Sequence, residues 1–138
     1  MSDYAQEKML HVLLVEDHKF LRAAMEQALT AAGFRVTAAE TGDQAASILE
    51  AGTRADVLLS DIQLPGTLGG VDLANLAQQR YPSMAILLQT GFVPGDSGGY
   101  RVLRKPFGPD ILVAAIREAA ECRGNDPCAT SDPRDQRR

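Results

Sequence analysis

Apolar residues along this chain fall into short runs separated by amphipathic stretches. Leu10 to Val15 (LHVLLV) is almost continuously apolar, the pattern of a strand covered on both faces, and it stops at Glu16 and Asp17. From Phe20 to Ala32 the positions Leu21, Met25, Ala28, Leu29 and Ala32 recur at helical spacing, with Gly33 as a left-handed stop. Phe34 to Ala39 predicts a second strand. Thr41 and Gln44 then make a capping box for a helix carrying Ala45, Ile48 and Leu49, ended by Gly52.

Ala55 to Ser60 repeats the apolar strand pattern and runs into Asp61. The loop LPGTLGG leads from there to a third helix bearing Leu73, Leu76 and Ala77, closed by Pro82. Met84 to Gln89 predicts a fourth strand and Arg101 to Arg104 a short fifth. Pro109 opens a last helix with Leu112, Ala115, Ile116 and Ala119 on one side. Strands alternating with helices through short connections specify a parallel sheet with right-handed crossovers and helices on both faces, an open α/β sandwich. Between the fourth and fifth strands GFVPGDSGGY offers a proline, four glycines and no apolar stripe, so the fourth helix is expected to be short or absent.

Length and composition agree with one domain. The chain has 138 residues, 45% of them hydrophobic and 23% charged, and no apolar run nears the roughly 18 residues that would cross a bilayer. The organisation expected is a flexible lead at 1–8, a folded domain at 9–121 and a polar, disordered tail at 122–138. The start, MSDYAQEKM, lacks the basic and apolar segments of an export signal, which places the chain in the cytoplasm and away from membranes. A net charge of -4 argues against direct nucleic-acid binding. Cys122 and Cys128 have neither a disulfide-framework nor a zinc spacing, and are expected to be reduced and idle.

In open α/β sheets ligands collect at the carboxyl ends of the strands. The first predicted strand ends in Glu16 and Asp17, the third in Asp61, the fourth in Gln89 and Thr90, and the fifth in Lys105 before Pro106. Three carboxylates brought together repel one another, and a divalent cation removes the conflict. Hard oxygen donors without His or Cys favour Mg²⁺, with Mn²⁺ as a substitute, over zinc. A lysine and a threonine hydroxyl facing a metal-bound aspartate can hold phosphoryl oxygens, with Asp61 best placed as nucleophile. Taken singly, an acid pair is as well explained by helix capping and Lys105 by an exposed turn; jointly, those explanations leave too much over.

These fragments, LLVEDH at 13–18, DIQLPG at 61–66, QTG at 89–91 and KPF at 105–107, resemble the receiver-domain signature of two-component response regulators over residues 9 to 121. The resemblance implies a five-stranded parallel, flavodoxin-like doubly wound (βα)5 sandwich. It implies that Asp61 is the phosphoacceptor and that Asp17, Asp61 and the backbone carbonyl of Gln63 ligate Mg²⁺. Glu16 would act through a metal-bound water, and Thr90 and Lys105 would contact the phosphoryl group. A large side chain at Gly91 would obstruct that group's approach, and Gln63 and Phe92 occupy places that tune hydrolysis of the acyl phosphate.

The implied function is a phosphoacceptor signalling domain of a phosphorelay, switching protein contacts on phosphorylation. Its phosphoryl group would come from a sensor histidine kinase or histidine phosphotransfer protein. It would be no enzyme beyond autophosphorylation from small donors and autodephosphorylation. Downstream it would meet another protein; a homodimer is left open.

The alternative is a phosphorylation-independent receiver-like binding module. A haloacid-dehalogenase-type phosphatase ranks below both, because its second acid would stand where Gln63 is. GDSGG at 95–99 copies a serine-protease motif, but that chemistry needs partners this chain lacks. His11 and His18 read as structural.

Besides a loop after Asp61 that is one residue longer, PGTLGG, two features depart from the family pattern. Thr90 and Lys105 are only 15 residues apart, and the place of the aromatic switch residue is taken by Val102, with Tyr100 two positions earlier. Segment 91–101 is therefore expected to order or disorder on phosphorylation in place of helix rotation.

Overall fold

In the computed structural model, residues 9–91 and 97–122 are described. The expectations for the lead at 1–8, for the tail beyond Cys122, for Phe92 and for the middle of 91–101 fall outside those residues.

Five strands form one parallel sheet: β1 (His11–Val15), β2 (Arg35–Ala39), β3 (Val57–Asp61), β4 (Ala85–Thr90) and β5 (Arg101–Arg104), in the order β2-β1-β3-β4-β5. Four helices are α1 (Lys19–Ala31), α2 (Gly42–Glu50), α3 (Gly70–Arg80) and α4 (Pro109–Glu121). Among the described residues no helix lies between β4 and β5, as the glycine-rich interval predicts.

Alternation along the strands decides which helix covers which face. Val12, Leu14, Val57, Leu59, Leu87 and Leu103 point to one side, against Met25 and Leu29 of α1 and Leu112, Ile116 and Ala119 of α4. Leu13, Val15, Leu58, Ile86, Leu88 and Val102 point to the other, against Ala45 and Leu49 of α2 and Leu73 and Ala77 of α3. Each central strand is buried on both faces, which is why its sequence is a run and not an alternation.

Local signals act where expected. The Thr41 hydroxyl accepts from Gln44 N at 3.0 Å, and Gln44 Oε1 accepts from Glu40 N at 2.8 Å, closing the start of α2. Gly33 and Gly52, both at φ +100°, end α1 and α2. His18 caps α1 through Nδ1, which accepts from Leu21 N at 3.2 Å, in keeping with its structural reading. Element edges shift by a residue or two: β1 begins at His11, β3 at Val57, and β4 runs on through Thr90.

One expectation is corrected. Cys122 is disulfide-bonded, not a reduced thiol. The chain's other cysteine, Cys128, lies outside the described residues. The expectation rested on cysteine spacing, which bears on a framework or a zinc site and does not decide the oxidation state of an individual thiol.

Candidate functional site

The carboxyl ends of β1, β3, β4 and β5 converge on one pole. Parallel register sets Asp61 beside Gln89, and Lys105 N donates to Thr90 O at 2.8 Å. The loop after β3 is shaped by close approach: a Cβ at Gly70 would collide with the Asp61 carbonyl, so only glycine lets α3 start there. Gly70 N donates to Ile62 O at 2.8 Å, and the Thr67 hydroxyl donates to Asp43 Oδ1 at 2.9 Å, tying this loop to α2.

Asp61 sits at the centre, 6% exposed, with Lys105 Nζ 2.8 Å from its Oδ1. The same Nζ lies 3.2 Å from Glu16 Oε1, so Lys105 bridges the two carboxylates. Glu16 is buried at 1% exposure, and its Oε2 accepts from His18 N at 3.0 Å. Asp17 is exposed at the rim. One carboxylate oxygen from each of Glu16, Asp17 and Asp61 can be chosen so that all three lie within 4.8 Å of one another. Asp17, Asp61, Gln63, Gln89, Thr90, Gly91 and Lys105 line a cavity of about 170 Å³. The space over Gly91 is open: a Cβ there would meet nothing within 4 Å.

Burial pushes the Asp61 carboxyl up from 3.8 to about 7; Lys105 opposes the rise and neighbouring Glu16 adds to it. Burial alone would lower the Lys105 ammonium, but its bond to Asp61 and the two carboxylate charges more than offset this, leaving it raised. A carboxyl whose proton affinity is raised by burial and a like charge marks a site short of positive charge. Three carboxylates with no nitrogen or sulfur donor among them suit a hard divalent cation, so the residues present fit Mg²⁺.

The residues singled out in sequence thus come together: Glu16, Asp17, Asp61, Gln63, Thr90 and Lys105 share one pole. Gln89, named there only as a strand end, has a larger part. It is fully buried, and its Nε2 donates to Glu16 Oε1 at 3.1 Å, the same oxygen Lys105 approaches. Gln89 Oε1 is buried without a hydrogen-bond partner. A polar side chain closing an apolar strand run was the available signal. Val102 is 9% exposed in the core against the α2 and α3 side of the sheet, while the Tyr100 hydroxyl donates to Asn75 Oδ1 of α3 at 2.6 Å.

Residues 12–117 match the response regulator receiver domain. The chain is 34% identical over 113 residues to the DNA-binding transcriptional regulator NtrC of Klebsiella pneumoniae, covering 77% of this chain and 24% of that protein. Its fold matches a response regulator receiver protein from Sinorhizobium medicae with TM-score 0.78 and 29% identity, over 85% of this chain and 98% of the other. It also matches the chemotaxis response regulator CheY4 of Vibrio cholerae with TM-score 0.72 and 26% identity, over 81% and 99% of the two chains. The chain belongs to the response regulator receiver domain family of two-component systems. It spans about a quarter of the length of the NtrC proteins it matches.

Proposed function

We propose that the chain is a phosphoacceptor signalling domain in which Asp61 takes a phosphoryl group from a sensor histidine kinase or a histidine phosphotransfer protein. The observation that carries the reading is the single lysine ammonium bridging a buried aspartate and a buried glutamate at the mouth of an open cavity. Glu16, Asp17, Asp61 and the backbone carbonyl of Gln63 would hold Mg²⁺, or Mn²⁺ in its place, with Glu16 acting through a bound water. When bound, the cation neutralises charge on the acids and on the phosphoryl oxygens.

The protein's own part is positioning. A carboxylate oxygen of Asp61 attacks phosphorus, the phosphorus–nitrogen bond of the donor phosphohistidine breaks, and its electron pair stays on the imidazole nitrogen. The Asp61 C–O–P anhydride that forms carries new negative charge near Lys105, which can turn its ammonium from Asp61 toward a phosphoryl oxygen. The Thr90 hydroxyl donates to another. Gln89 and His18 N keep Glu16 hydrogen-bonded when Lys105 turns away.

Among the described residues no helix is long and apolar enough to cross a membrane. We place the domain in the cytoplasm, as 9–121 of the chain, with its output carried by protein contacts and no catalytic activity beyond its own phosphorylation and dephosphorylation. Incubation with Mg²⁺ and acetyl phosphate followed by intact-mass measurement tests the reading. One phosphoryl adduct, absent in Asp61→Asn, is expected; no adduct on the wild-type chain overturns it.

A further inference from the structure

At the opposite pole, between the amino ends of β1, β2, β3 and β4, lies a second and larger cavity of about 360 Å³. Its lining includes three arginines from distant parts of the chain, Arg35 at the start of β2, Arg54 before β3 and Arg80 at the end of α3. His11, Tyr81, Ser83 and one carboxylate, Asp56, complete its polar wall. The chain as a whole is acidic, so three guanidinium groups around one hollow are a local reversal of its charge.

The wall is braced by hydrogen bonds that fix the backbone at Arg54 and the guanidinium of Arg80. Asp56 N donates to His11 O at 2.7 Å and Asp56 Oδ2 accepts from His11 N at 2.8 Å, joining the 54–56 segment to β1. The His11 ring bonds on both sides, to the Arg54 carbonyl at 2.9 Å and to the Thr37 hydroxyl at 2.7 Å. A carbonyl can only accept, so Nδ1 carries the proton and fixes the backbone at Arg54. Arg80 spends Nε and one terminal nitrogen on the carbonyls of Leu49 and Glu50, each at 3.1 Å, which leaves its other terminal nitrogen available to a ligand. The Tyr81 hydroxyl donates to the same Leu49 carbonyl at 3.0 Å. The Arg54 and Arg80 guanidiniums stand 5.8 and 5.9 Å from the centre of the Tyr81 ring. Both guanidiniums thus lie over the ring of a cavity-lining residue, and among the described residues neither is in an ion pair.

We infer that this cavity is a binding site for a small phosphate-bearing anion, distinct from the phosphoacceptor pole. Its volume falls within the range of roughly 300–1,000 Å³ typical of small-molecule sites, and pre-placed guanidinium groups are the side chains that best match phosphate oxygens. The single carboxylate, Asp56, is engaged at its Oδ2 by the His11 backbone, which limits its opposition to an anion. A five-residue strand separates the two poles, about 17 Å at the usual rise, so the site does not depend on Asp61.

The test is a titration of the full chain with inorganic pyrophosphate at constant ionic strength in excess chelator, followed by amide chemical shifts and calorimetry. Saturable one-to-one binding is expected, with shifts at His11, Arg35, Arg54, Arg80 and Tyr81. Affinity should be unchanged in Asp61→Asn and weakened about tenfold in each of Arg35→Ala and Arg54→Ala, the effect of losing one charge-assisted hydrogen bond. Among the described residues neither side chain makes a hydrogen bond within the fold, and unfolding curves equal to wild type will show that each variant is intact. Absence of saturation, affinity equal to wild type in both arginine variants, or shifts confined to Asp61, Thr90 and Lys105 would overturn the inference.

Discussion

The carboxamide of Gln89 donates to Glu16 Oε1 across 3.1 Å, linking the end of β4 to the end of β1 beneath the cavity at Asp61. Lys105 reaches the same oxygen at 3.2 Å, so a neutral and a charged donor share one buried acceptor. With that sharing, Glu16 would stay hydrogen-bonded if the lysine moved away.

Replacing Gln89 by Leu removes a donor from a buried carboxylate and also removes its own unpartnered Oε1. The two effects oppose, and a net loss of about 1 kcal/mol is expected in urea unfolding. Phosphorylation by acetyl phosphate should slow in the same variant, because Lys105 becomes the main remaining side-chain donor to Glu16. Equal rates in Gln89→Leu and wild type would show that the lysine does not depend on this amide.

Asp61 gives a pH signature. Its carboxyl binds a proton more tightly folded, at about 7, than unfolded, at 3.8. Such a group favours the folded chain at low pH, and its contribution is lost as pH rises from the lower value through the higher. In chelator, the melting temperature of wild type relative to Asp61→Asn should therefore fall across that window. Saturating Mg²⁺ should flatten the difference by favouring the charged carboxylate.

Cation binding should be visible as stability. At a concentration about a hundred times its dissociation constant, Mg²⁺ should add about 2.7 kcal/mol. Asp17 is exposed at the rim, so Asp17→Asn should leave the metal-free melting temperature close to wild type while weakening Mg²⁺ binding about tenfold or more, measured by calorimetry. An unchanged affinity would remove Asp17 from the ligand set.

Gly70→Ala tests the close approach under the site. Its methyl group would strike the Asp61 carbonyl and the Ile62 backbone, neither of which can swing aside, and a loss of about 2–3 kcal/mol is expected in denaturant unfolding.

Much of this molecule is legible along the chain. The apolar runs are strands because both their faces meet helices, the glycines at 33 and 52 end helices at positive φ, and the motif residues at strand ends meet at one pole because parallel strands point their carboxyl ends the same way. A stretch without a helical stripe duly carries no helix among the described residues. Each of these follows from local pattern plus one topological rule.

Gln89 and the arginine cavity were decided elsewhere. An amide at the end of an apolar run gains its meaning only when register sets it beside Asp61 and strand order brings β1 near enough for Glu16 to accept its proton. Arg35, Arg54 and Arg80 belong to no motif and lie in three different elements or loops. They meet because the parallel sheet gathers the amino ends of its strands as surely as it gathers their carboxyl ends. Sequence determined the acids and lysine of the Asp61 pole, where spacing from strand ends is fixed by chain connectivity. Only the packed sheet determined which long-range neighbours share a hydrogen bond or a hollow, since those distances depend on strand order and register.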